Sequence, residues 1–185
     1  NTANIGLENT DITTNERGAI VVNDTCESSV PGVYAVGDVN GGPQFTYISL
    51  DDFRIVFGAL TGNGQYTLKD RKNIPYTTFL TPPLARVGLT EEDAINKGYT
   101  VKTKEMLVAT MPRAHVNDYL KGAFKIVVNA ENNLILGATL YSQGAEELIN
   151  LIKMAMDKNI PYTYFKNQIF THPTMVENLN DLCNF

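Results

Sequence analysis

Near the end of the chain the sequence reads FTHPTMVENL, Phe170 to Leu179, and holds one of only two histidines, His172. Pro173 follows it directly, and Glu177 stands five residues further on. A histidine oriented by a carboxylate suits proton transfer, because the carboxylate holds the ring and favours its charged form. The same residues admit a structural reading. Pro173 fits the first position of a helix with His172 as its cap. Thr174-x-x-Glu177 also has the form of a capping box, which would commit Glu177 to a backbone N–H. Spacing alone leaves both readings open.

A second carboxylate stands out in VYAVGD, Val33–Asp38. The nearly continuous apolar run reads as a strand buried on both faces, with Asp38 at its carboxyl end, where ligands collect in open α/β sheets. A carboxylate there accepts hydrogen bonds from sugar-alcohol hydroxyls; it could equally cap the next helix or sit in a turn. NGGP breaks the chain, and a helix is expected over Gln44–Leu60, with apolar residues at 45, 48, 53, 56, 57 and 60. Its first N–H groups offer partial positive charge to a ligand. The other histidine, His115 in MPRAHVND, reads as a surface or interface residue. The two cysteines, Cys26 and Cys183, form no CxxC and no metal-ligand spacing. They read as unpaired thiols of a reducing cytoplasm.

Elements must hold these groups in place. AIVVN, Ala19–Asn23, is β-branched and reads as a strand, and DTCESSVPG after it as a loop. TGNG ends the helix that began near Gln44, and a polar linker follows to Asn73. From Ile74 the pattern changes. YTTFL and ARVGL are strand pieces around TPP. TEEDAINKG is a helix that Thr90 can cap, Glu91 and Glu92 favour at its positive end, and Gly98 can stop. YTVKTKEMLV alternates as a strand, and GAFKIVVNAENNLILGATLYS reads as a hairpin around AENN. Ala145–Lys158 is an amphipathic helix with a stripe at 148, 149, 151, 152, 155 and 156. The expected architecture is α+β: an antiparallel sheet of four or five strands with helices, preceded by an incomplete α/β stub. The stub is too short to cover both faces of a parallel sheet.

Composition narrows the function classes. The chain has 185 residues, 43% apolar and 19% charged, with a net charge of −5 in well-mixed order. No basic block argues for nucleic acid or an anionic membrane surface. No apolar run reaches the roughly 18 residues that span a bilayer. The polar opening NTANIGLENTD has no signal-peptide form.

The stretch SVPGVYAVGDVNGGPQFTYISLDDFRIV resembles the second flavin-binding region of the class I pyridine nucleotide-disulfide oxidoreductases, the family of glutathione reductase, dihydrolipoamide dehydrogenase and mercuric reductase. Further likenesses follow in order. IPYTTFLTPPLARVGLTEEDA is similar to the entry of the family's dimerisation domain, LILGATLYSQGAEELINLIKMAMDKNIPY to its central hairpin and long helix, and FTHPTMVENL to its C-terminal catalytic motif.

The resemblance implies a residue assignment. Gly37 and Asp38 would meet FAD, Asp38 at the ribityl hydroxyls. Phe45, Thr46 and Tyr47 would lie beside the pyrimidine side of the flavin. His172 and Glu177 would be a hydrogen-bonded catalytic pair that enters the partner subunit's active site, acting on a cysteine thiol or thiolate. The X-Pro bonds Thr81-Pro82 and His172-Pro173 would be cis.

It also implies an organisation. Residues 1–62 would be the C-terminal part of an FAD-binding domain, 63–73 a linker and 74–185 the dimerisation domain of a homodimer. The redox Cys-x4-Cys, the Gly-rich FAD fingerprint and the NAD(P)H-binding domain are absent from these residues and would lie upstream, so the isolated chain would be inactive. The co-substrate would be NADH or NADPH, and the substrate a small-molecule disulfide or oxidant. PRAHVND and QIFTHPTMVENLNDL stand closer to bacterial members that defend against reactive chlorine or thiocyanate oxidants than to glutathione reductases. Two acids in SLDDF depart from the small or apolar residues common at that place. The alternative is a stand-alone, non-enzymatic αβ dimerisation or binding module. The upstream reading frame distinguishes the two.

Overall fold

In the computed structural model, which describes residues 1–185, an alternation over Phe124–Ile126, broken at the buried Val127, marks the main sheet. Phe124, Ile126 and Val128 are fully buried, while Lys125 between them reaches Glu91 on the other face. Period-two alternation of this kind gives a sheet with one apolar side and one wet side. Five antiparallel strands form it, in the order β1-β2-β5-β4-β3. They are β1 (Tyr76–Thr78), β2 (Leu84–Gly88), β3 (Val101–Leu107), β4 (Ala123–Asn129) and β5 (Ile135–Tyr141). The hairpin β4–β5 pairs Phe124 with Leu140 and Ile126 with Ala138, and its register shifts at Val127/Val128. Ala85 and Val87 of β2 extend the apolar face.

Helices cover that face. α4 (Ala145–Asp157) packs on β5 and β2, burying Leu148, Ile149, Ile152 and Ala155. Leu151, expected in the same stripe, is 42% exposed. The stripe is therefore narrower than the apolar residues suggest. α2 (Glu91–Asn96) opens on a full capping box between Thr90 and Asp93, and Gly98 follows it at φ 83°. Three short helices complete the unit: α3 (Pro112–Val116), α5 (Tyr162–Asn167) and α6 (Leu179–Leu182). α5 gave no sequence signal. Its YTYFKN is aromatic and β-branched, and only the spacing of the buried Tyr162 and Phe165 marks it as helical.

Residues 73–185 form this unit, and residues 1–72 form a second. The second unit's one long helix, α1 (Thr46–Thr61), ends at Gly62 with φ 71°. It buries Ile48, Asp52 and Ile55. Phe53, Phe57 and Leu60, expected on its apolar face, are more than half exposed.

The two strands expected here are not strands. AIVVN makes one isolated bridge, Thr14 with Ile20, and VYAVGD one, Glu27 with Tyr34. Val33 and Val36 are exposed rather than buried on two faces. Branched residues extend the backbone, but a strand needs a neighbour over several residues in register. Here the N–H groups are taken up singly, Ile20 by Val39, Val21 by Thr13 and Ala35 by Cys26. No helix is long and apolar enough to cross a membrane.

Candidate functional site

The segment after α5 is held from below by asparagines. Asn180 on α6 donates to the carbonyls of Phe165 and Gln168, at 2.7 and 2.9 Å. Asn178, buried, donates to the carbonyls of Thr174 and Met175. Leu179 and Leu182 anchor α6 in the core. The chain between them turns through the cis bond His172-Pro173; Thr81-Pro82 is cis as well. Both therefore have the geometry that the resemblance implied. The asparagines escaped the sequence reading, since nothing in NLND distinguishes a loop-holding amide from a helix-surface one.

Here Glu177 makes both contacts that the spacing allowed, one to a backbone N–H and one to the histidine ring. Glu177 Oε1 accepts the N–H of Thr174 at 2.9 Å, and Thr174 Oγ1 accepts the N–H of Glu177 at 3.3 Å. Glu177 Oε2 lies 2.8 Å from His172 Nδ1. The Thr174 N–H first, and the His172 bond second, hold the Glu177 carboxyl below its ordinary value. It is therefore an anion at neutral pH. The side chain of Glu177 is 18% exposed and that of His172 is 68% exposed. With Nδ1 engaged, the open position on the ring is Nε2. An oriented imidazole of this kind can give or take a proton at Nε2 from a group brought to it.

The other candidate residues lie in the unit 1–72. Gly37–Asn40 form one 3₁₀ turn, with Gly37 buried at φ 71° and Asp38 exposed. A Cβ at Gly37 would come within 2.6 Å of Ser49 Oγ. Thr46 is the first residue of α1, whose start has no side-chain cap. Phe45 and Tyr47 stack at 5.0 Å between centroids, nearly parallel. Burial pushes the Tyr47 phenol up.

The role that the sequence reading missed belongs to the residues beneath the turn. Asp52 is fully buried, and its Oδ2 accepts from Gly37 N at 2.7 Å and from Asn40 Nδ2 at 2.8 Å. Its Oδ1 pairs with Arg71 Nη2, and Arg71 Nε donates to Asp51 Oδ2 at 2.7 Å. A fully buried acid needs such partners; breaking a pair of this kind typically costs about 3–5 kcal/mol. The signal available was the two acids of SLDDF, out of place on a helix otherwise apolar at those positions. Cys26 and Cys183 are buried and unpaired. His115 Nε2 lies 2.8 Å from the carbonyl of Ala109, an exposed local contact. No group of three or more His, Cys, Asp or Glu converges on a metal position.

Comparison with known proteins bears on both units. The sequence profile described as "Pyridine nucleotide-disulphide oxidoreductase, dimerisation domain" matches residues 74–183, and that described as "Pyridine nucleotide-disulphide oxidoreductase" matches residues 1–52. The probable pyridine nucleotide-disulfide oxidoreductase RclA of Escherichia coli K12 is 48% identical over 181 residues, covering 98% of this chain and 41% of that protein. A mercuric reductase of Staphylococcus aureus is 34% identical over 179 residues, covering 97% of this chain and 32% of its own length. A solved structure described as an HOCl-induced flavoprotein disulfide reductase, RclA from Escherichia coli, superposes with a TM-score of 0.95 at 47% identity, over 99% of this chain and 42% of that one. The chain thus spans about two fifths or less of the length of these relatives.

Proposed function

The chain belongs to the pyridine nucleotide-disulphide oxidoreductases, and from that premise we propose that His172 and Glu177 are the acid–base pair of an FAD- and NAD(P)H-dependent disulfide reductase. In this reading residues 74–185 are its dimerisation domain and 1–62 the C-terminal part of its FAD-binding domain; the stretch 63–73, expected as a linker, packs up to Lys72 into the first unit, where Arg71 pairs with the buried Asp52. The observation that carries it is the His172–Glu177 pair: one ring nitrogen fixed on a carboxylate, on a side chain otherwise open to solvent. Such a ring has its partner group elsewhere. The proposed partner is a redox cysteine of the second subunit in a two-fold dimer. Several large apolar side chains of residues 73–185 are more than half exposed, Phe79, Leu107, Val116, Met154 and Ile169 among them. That much apolar surface supports burial against a second copy.

The chemistry of Asp38, Thr46 and the start of α1 fits part of an FAD. Asp38 is an exposed carboxylate able to accept from ribityl hydroxyls, and an uncapped helix start offers N–H donors to the electron-rich pyrimidine side of a flavin. Gly37 holds the turn that presents Asp38, and Phe45 and Tyr47 flank the helix start. When bound, FAD supplies two-electron transfer between nicotinamide and disulfide. His172, with its charge balanced by Glu177, would hold or release the proton of the thiol formed when the disulfide is reduced. The substrate is proposed as a small-molecule disulfide or oxidant, the relative being described as HOCl-induced. Two unpaired thiols fit a reducing cytoplasm.

Subunit mixing tests the proposal in the full-length protein. One chain carries His172→Ala and the other lacks the redox cysteines. Such heterodimers should keep one complete site and about half the native activity, as expected where residues of two chains build each site. Heterodimers as inactive as the two parents would show that the pair does not work across the interface.

A further inference from the structure

Asp38 is the residue proposed to meet the ribityl chain, yet only its backbone carbonyl, which accepts the Gly41 N–H at 3.1 Å, helps to close its own turn; its carboxylate takes no part. The other contacts that hold the turn converge on Asp52. Gly37, immediately before Asp38, gives its N–H to Asp52 Oδ2 at 2.7 Å. Asn40, two residues after Asp38, gives Nδ2 to the same oxygen at 2.8 Å and also reaches the Ala35 carbonyl. Asn40 Oδ1 in turn accepts the N–H of Gly42 at 3.0 Å. One buried carboxylate thus ties down both sides of Asp38. That carboxylate is held by Arg71, which spans Asp52 and Asp51 with two of its nitrogens while its own side chain is 10% exposed. Tyr66 adds its hydroxyl to Asp51. Arg71 comes from the segment that closes the unit 1–72, far from Asp38 in sequence.

The geometry points to Asp52 and Arg71 as positioning residues for flavin binding: the buried Arg71–Asp52 pair sets where the Gly37–Asn40 turn holds the Asp38 carboxylate. The assignment rests on the reading of Asp38 as a flavin contact. Its physical basis is the narrowness of the interaction it serves. A hydroxyl bonds a carboxylate over about 2.5–2.7 Å, so a turn displaced by about 1 Å loses it. A buried carboxylate deprived of its guanidinium cannot stay where it is as an uncompensated charge. It must move or take up water, and the turn goes with it. An apolar residue at position 52 would leave the Gly37 N–H without its acceptor and Arg71 without one of its two carboxylates.

The test uses the full-length protein holding FAD, with Arg71→Gln, Arg71→Lys, Asp52→Asn and, as an unrelated ion-pair control, Glu91→Gln. The FAD dissociation constant is read from flavin fluorescence on release, and the visible spectrum of the bound flavin is recorded. Arg71→Gln and Asp52→Asn should weaken FAD binding by about tenfold or more, the loss typical of a hydrogen bond to a charged group. Arg71→Lys should recover part of it, and Glu91→Gln should change nothing. The deciding measurement repeats Arg71→Gln in an Asp38→Ala background. If Arg71 acts through Asp38, the second substitution adds little, because the bond it positions is already gone. An undiminished effect in that background would overturn the assignment. So would variants that lose thermal stability while binding FAD with unchanged affinity and spectrum. Should Arg71→Gln not fold, Arg71→Lys carries the same comparison. Wild-type protein that retains no FAD would overturn the flavin reading itself, a result distinct from wild-type binding with unresponsive variants.

Discussion

His172 Nδ1 and Glu177 Oε2 stand 2.8 Å apart, while the other oxygen of the same carboxylate holds the N–H of Thr174. The helix start fixes Glu177, and Glu177 fixes the imidazole. A capping role and a catalytic one therefore do not compete, because a carboxylate has two oxygens and room for both partners. The local fold of the C-terminus is the device that aims the ring.

In the full-length protein, His172→Ala should lower turnover by about 10²–10⁴-fold, the usual contribution of a general acid–base group. The loss should fall on steps that involve the disulfide, with reduction of the flavin by NAD(P)H left intact. Glu177→Gln should do less. Its amide has one carbonyl oxygen and no charge, so it can serve Thr174 or His172 but not both as acceptor. Stopped-flow traces resolve the two half-reactions; an equal slowing of flavin reduction would count against the assignment.

The same carboxyl sets an acid limit on the fold. The Thr174 N–H and then His172 hold Glu177 below its ordinary value. Its folded value thus lies below an unfolded value of about 4.3. A group shifted in that direction stabilises the fold above its unfolded value. The contribution is lost as pH falls through that value and on through the folded one. The stability difference between wild type and Glu177→Gln should therefore be flat near neutrality and shrink below about pH 4. Urea midpoints across that range measure it, and curves that stay parallel into acid would exclude the effect.

The sheet and its helices were legible because their signals are periodic. Phe124 and Ile126 flank a lysine, and Thr90 caps α2 as expected, with Asp93 completing a box that was not foreseen. The pair His172–Glu177 was legible as a motif, although the double use of Glu177 was not, since spacing does not show which oxygen faces which donor. Illegible were contacts between residues distant in sequence. Arg71 meets Asp52 across nineteen positions, and Asn180 meets Phe165 across fifteen. VYAVGD misled for the opposite reason: its residues favour extension, but strand formation depends on a neighbour that composition cannot reveal. α1 misled in the same way, its buried side carrying an aspartate whose partner comes from Arg71.

The thiols give a test of the interior. Burial first, and then the charge of Asp52, push the Cys26 thiol up to about 11. Burial pushes Cys183 up to about 12. Both are nearly inaccessible, and thiolate is the reactive form. The native chain should therefore show no thiol to an aromatic disulfide reagent at about pH 8, where a free cysteine already reacts. Both should react on unfolding in urea. Rapid native labelling of either one would contradict its placement.

Gly37 offers a test of the turn that holds Asp38. Its φ of 71° lies in the left-handed region, which costs a residue with a Cβ roughly 1–2 kcal/mol. A Cβ there would also stand 2.6 Å from Ser49 Oγ. The clash involves the tip of a short side chain, so Ser49 can yield, whereas the backbone cost cannot be relieved. Gly37→Ala should thus lower stability by at least that roughly 1–2 kcal/mol. Adding Ser49→Gly should remove the steric part, after allowance for the effect of Ser49→Gly alone, and leave the backbone part standing. Denaturant titration of the single variants and the double variant separates the two contributions. A Gly37→Ala protein as stable as wild type would mean that the turn does not take this conformation.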